Sequence, residues 1–106
     1  MNQIDLRPFV DDPSALPKAT TLLRESGQRI LLLHLKSGEQ IPEHQTSGAI
    51  TVHCLKGQVT FSARTETVEL SPGLLISLGP GSPHSLLANQ ESVLLVSVSE
   101  QAARPS

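Results

Sequence analysis

Short segments rich in Val, Ile, Leu and Thr alternate with turn residues at close, even intervals along the chain, and no stretch keeps a helical period for three turns. This punctuation is that of an all-β sandwich or barrel. It predicts strands over 4–9, 20–24, 29–35, 48–55, 59–63, 66–70, 74–77, 84–88 and 93–98. The turns between them have recognisable chemistry: Glu25-Ser26-Gly27 and Lys56-Gly57 read as hairpin connections, and Ser71-Pro72-Gly73, Gly79-Pro80-Gly81 and Asn89-Gln90-Glu91 as further turns. Residues 11–17, with two prolines and two aspartates, read as a loop with no helix beyond a turn. The expected organisation is one domain over 1–106, with an N-terminal strand and loop at 1–18, a barrel body over about 19–98 and a frayed tail at 101–106.

Alternation assigns faces. In the 48–55 segment Ile50, Val52 and Cys54 share one face and Thr51, His53 and Leu55 the other, because successive side chains of a strand point oppositely. The first set is the expected interior, and His53 would turn inward only through a bulge. The 93–98 segment is apolar on both faces at its start, so it is either central or covered on both sides, and a second covering layer implies a sandwich or a dimer. His34 can face either way, its simplest reading being a half-buried ring bonded to backbone. Glu39 and Glu43 are expected to face solvent.

Composition narrows the functions. With 38% hydrophobic residues the chain has enough apolar side chains to fold around a core. Eight basic residues against ten acidic ones, scattered along the chain, offer no patch for nucleic acid or an anionic membrane. The longest apolar runs are four residues, 30–33 and 93–96, and the polar N-terminal stretch has no signal-peptide core, which predicts a cytoplasmic, soluble protein. The single cysteine, Cys54, excludes an internal disulfide and a cysteine-rich zinc site, and it reads as a small buried hydrophobe. No Trp, no Tyr and only two Phe leave no stacking platform for bases.

The remaining chemistry lies in the four histidines, two of which sit in patterned segments. The first segment runs from Gly38 through His44, Thr46 and Ile50 to Gly57; the second opens at Gly73 and passes Pro80 and Gly81 to His84. Together they resemble the two motifs of the cupin superfamily. Gly38, His44 and Gly57 stand in register with the first motif and Gly73, Gly81 and His84 with the second, over roughly residues 29–98. The resemblance implies a double-stranded β-helix, or jelly-roll, barrel of the RmlC-like type. It also implies a metal site, but Thr46 stands at the position of the second metal histidine and Ile50 at that of the metal glutamate.

His44 and His84 alone would then hold either no metal, bonding each other, a water or an anion, or a divalent transition metal (Zn, Ni or Fe) held weakly, since a catalytic site commonly has three protein ligands. The expected pocket lies at the barrel mouth, lined by His44, Thr46, Ile50, Val52, His84 and Leu86, with no catalytic residue assigned. Three readings stay open: a small-molecule-binding module similar to the sensing domains of transcription regulators; a weakly metal-dependent enzyme of dioxygenase, isomerase or decarboxylase type; and a filled barrel with a structural role. The first is preferred, because an apolar cavity with a few convergent polar groups suits recognition. A homodimer is expected from the outer apolar positions Leu55 and 93–98, with the 4–9 strand added to the partner's edge and His53 at the interface.

Overall fold

A computed structural model describes residues 1–64 and 66–100. Its elements are α1 (Arg7–Asp11), a 3₁₀ turn (Pro13–Ala15), β1 (Ala19–Glu25), β2 (Gln28–Leu35), β3 (Gln40–His44), β4 (Ile50–Lys56), β5 (Val59–Ala63), β6 (Glu66–Leu70), β7 (Leu75–Leu78), β8 (His84–Ala88) and β9 (Ser92–Ser99). The strands form an all-β jelly roll: a five-stranded sheet in the order β1-β2-β9-β4-β7 and a four-stranded sheet in the order β3-β8-β5-β6, every pairing antiparallel. The tail 101–106, expected to fray, lies outside the described residues.

The core fills the space between the two sheets. Leu31, Leu35, Ile50, Val52, Cys54, Leu94 and Val96 come from the first sheet; Val59, Phe61, Leu70, Leu86 and Ala88 come from the second. Burying these side chains is the main stabilising term, at roughly 1.5–3 kcal/mol for each large apolar residue. In β4 the inner set is the one alternation assigns, with Ile50, Val52 and Cys54 all buried. Strand β9 is both central and covered on two sides. Val93 and Leu94 are each fully buried although they point to opposite faces.

The second cover comes from the chain's own N-terminal segment. Leu32 and His34, on the face of β2 turned away from the core, are 1% and 5% exposed. The His34 ring lies between two acceptors, the Leu16 carbonyl at 3.1 Å from Nδ1 and the Glu91 carboxylate at 2.9 Å from Nε2, while the His34 amide donates to the Lys18 carbonyl. The Leu16 and Lys18 bonds strap the segment before β1 across the sheet, and Pro13 within that segment is buried.

Two local expectations fail. Residues 4–9 form no strand: the chain turns into α1 at Arg7, with Pro8 in its first turn, where a missing N–H costs nothing, and the Asp5 carboxylate takes the Arg7 amide. That segment therefore supplies no strand to a partner's edge. In the other direction, β3 is a strand that polarity and Pro42 hide. It is an edge strand, where proline is tolerated, and its register shifts after Ile41↔Leu86, so that Pro42 and Glu43 together face Ser85 and His44 pairs with His84.

Candidate functional site

That bulge builds the site. In regular alternation Ile41 faces inward and Glu43 would follow it. The extra residue turns His44 inward instead and leaves Glu43 exposed. The His44 and His84 rings meet edge to face, with centroids 4.2 Å apart. Phe61, on the neighbouring β5, stacks on His84 at 5.6 Å with planes within 12° and fixes its orientation. His84 is buried, whereas His44 sits at the rim.

Each imidazole is also pinned by its own backbone. His44 Nδ1 lies 3.1 Å from the Pro42 carbonyl and His84 Nδ1 lies 2.9 Å from the Ser82 carbonyl. A carbonyl only accepts, so Nδ1 carries the proton and a neutral ring keeps its lone pair on Nε2. Among the described residues neither Nε2 has a hydrogen-bond partner. In its neutral form the pair presents two unengaged acceptors.

Both rings open on a cavity of about 140 Å³ that is also lined by Thr46, Ile50, Val52, Leu86, Phe61, Val96, Val98 and Arg29. The six side chains singled out in the sequence thus share one cavity. Thr46 is partly committed, its hydroxyl donating to the Gly48 carbonyl at 2.9 Å, and its own carbonyl accepts from Gly81 at 2.7 Å, which ties the loop after β3 to the turn before β8. His53 lies on the outer face of β4 opposite Leu75 and Leu95, outside the cavity. His34 belongs to the strap on the far side of the sheet. A wider, open depression of about 630 Å³ lies along Ser26, Gln28, Thr51, Ser97 and Ser99, but it has no titratable side chain.

The donor set does not fit a catalytic metal centre. Among the described residues no group of three or more His, Cys, Asp or Glu could hold a metal. Thr46 offers a neutral hydroxyl and Ile50 a hydrocarbon where further ligands would stand. Cys54 adds nothing: burial pushes its thiol pKa up, and the thiol faces the Lys56 carbonyl at 3.5 Å.

Sequence reasoning missed Arg29, although the signal was present. Arg29, Leu31, Leu33 and Leu35 fall on one face of β2 by alternation, so the arginine heads an otherwise apolar inner row. Among the described residues its buried Nε has no hydrogen-bond partner; the Glu100 carboxylate approaches it at 3.5 Å while also meeting Arg24 at 3.2 Å.

A two-sheet jelly roll whose neighbouring strands β3 and β8 bring a histidine pair to one cavity defines a recognisable class. The family model of the cupin domain matches residues 31–99, and the chain belongs to that family. No curated protein matches significantly. Among solved structures, TT1209 from Thermus thermophilus is similar at 21% identity over 96% of this chain and 100% of its own, with a TM-score of 0.78. A conserved protein of unknown function from Streptococcus pyogenes is similar at 27% identity over 80% of this chain and 75% of its own, with a TM-score of 0.73. KdgF from a Halomonas species shares the fold at 15% identity over 80% and 79%, with a TM-score of 0.72. No helix of the described residues is long and apolar enough to cross a membrane.

Proposed function

We propose that this cupin binds a small molecule in the cavity at the barrel mouth, recognising it without a resident metal. The observation that carries this reading is the pair of imidazoles that line one largely apolar cavity, their Nδ1 atoms bonded to backbone and their Nε2 atoms without a hydrogen-bond partner among the described residues. Such a site accepts two hydrogen bonds from a ligand and encloses its body in hydrocarbon. The test is a fragment titration followed by imidazole NMR signals. Ligands of the cavity shift His44 and His84 and lose affinity in His84→Ala; binding that shifts only His53 overturns the assignment.

The metal-dependent reading, of dioxygenase, isomerase or decarboxylase type, would need a third ligand beyond His44 and His84. Elemental analysis of protein prepared without a histidine tag decides it, with stoichiometric Zn, Ni or Fe restoring that reading. Homodimerisation completes the proposal. Strand β7 is an unpaired edge, and Leu74 and Leu75 on it and beside it are 45% and 61% exposed, which suits edge pairing with a second copy. The buried free thiol of Cys54 suits a reducing, cytoplasmic setting.

A further inference from the structure

We infer that the ligand of this cavity is a small hydroxy acid, its carboxylate received by Arg29 and its hydroxyl by the His44–His84 pair; the inference rests on the reading of the cavity as a ligand site. Arg29 lies across β9 from Ile50, through the pairings Arg29↔Val98 and Val98↔Ile50, and it lines the same cavity as both imidazoles. A guanidinium is charged at any working pH and presents five donors in a planar fork that matches a carboxylate. Here the buried Nε has no hydrogen-bond partner among the described residues, only the ion-pair approach of Glu100 at 3.5 Å.

Glu100 shows both the affinity and its incompleteness. Its carboxylate is shared between Arg24 and Arg29, at 3.2 Å and 3.5 Å, so the rim holds two positive charges against one negative. A second carboxylate entering from the cavity side would balance that charge and occupy donors that Glu100 leaves free. The walls set the rest of the ligand. Leu31, Ile50, Val52 and Leu86 give no partner to a second charge, which selects a monoacid. The volume of about 140 Å³ is close to that of a cavity that holds benzene, room for about six to eight non-hydrogen atoms. Where the imidazoles line the cavity, a ligand hydroxyl donates its one proton to one Nε2 of the pair.

The probes are β-hydroxybutyrate and its neutral isostere β-hydroxybutyramide, titrated into the full chain while the His44 and His84 signals are followed. The acid should bind about tenfold or more tightly than the amide, a difference typical of a charge-assisted hydrogen bond. Arg29→Met should abolish the preference, and Glu100→Gln should tighten acid binding severalfold by freeing the fork. If Arg29→Met fails to fold, Arg29→Lys, which keeps charge and loses the fork, and Glu100→Gln carry the same test. Equal binding of acid and amide, or no gain in Glu100→Gln, overturns the hydroxy acid and leaves the cavity site standing. Neutral fragments that shift the imidazoles where the acid leaves them unmoved overturn it in the same way. If no acid, amide or neutral fragment shifts them, the cavity reading falls as well.

Discussion

Ile50 is the side chain that separates this cavity from a metal centre, because it is buried in the wall that the two imidazoles face. In Ile50→Glu, an anionic third ligand should raise Ni or Zn affinity at least tenfold by calorimetry. The same change buries a carboxylate, so the apo variant should melt below wild type and recover with metal, since a ligand that binds only the folded state stabilises it. No gain in affinity would mean that position 50 does not face both Nε2 atoms. Cys54 shows what full burial does to a titratable group. Its folded thiol pKa lies above the ordinary value because burial disfavours the thiolate, so the folded state keeps a proton that the unfolded chain gives up. Its contribution to stability is therefore complete below the ordinary thiol range and declines as pH rises through it. Native protein should resist iodoacetamide at neutral pH, and the alkaline decline in denaturation midpoint should be shallower in Cys54→Ala than in wild type.

Among the turns, Gly57 stands apart. Its φ of +90° is in the left-handed region, and a Cβ there would run into the Ser92 hydroxyl and the Glu91 carbonyl, whereas a Cβ at Gly38, φ +87°, meets nothing. Gly57→Ala should therefore cost about 3 kcal/mol or more and Gly38→Ala only about 1–2 kcal/mol, read from urea midpoints. Those two glycines look alike in the sequence; only the packing distinguishes them. Elsewhere the legible and the hidden divide on physical lines. Strand β4 was readable to the facing of single residues, because Ile50, Val52 and Cys54 alternate cleanly over a buried face. Strand β3 was not, because an edge strand with a proline and a bulge needs no apolar period, and the Ile41 register alone would have aimed Glu43 at the cavity. The 4–9 segment misled in the opposite sense, since Ile4 and Leu6 mimic strand spacing while Asp5 and Pro8 start α1. Arg29 escaped because a basic residue at a strand end reads as surface until the opposite wall is known.

For the molecule as a whole, the exposed β7 edge and Leu75 set the expectation of a homodimer. Sedimentation equilibrium at micromolar concentration should show twice the 11.3 kDa chain mass, and Leu75→Lys should return the monomer, while wild type at 11.3 kDa throughout removes the interface. Because α1 replaces the 4–9 strand and the N-terminal strap lies over β2 and β9 of its own chain, such an interface would run along β4 and β7. The position of β9 has a temporal side. It lies between β2 and β4, yet it is the last strand among the described residues to leave the ribosome. At synthesis rates of roughly 5–20 residues per second, β2 and β4 wait several seconds with their facing edges open and Leu31, Leu32 and Val52 in water. The nascent chain is thus two half-sheets in search of a keystone, and recruitment of a holdase during translation would be governed by how late Val93 and Leu94 arrive.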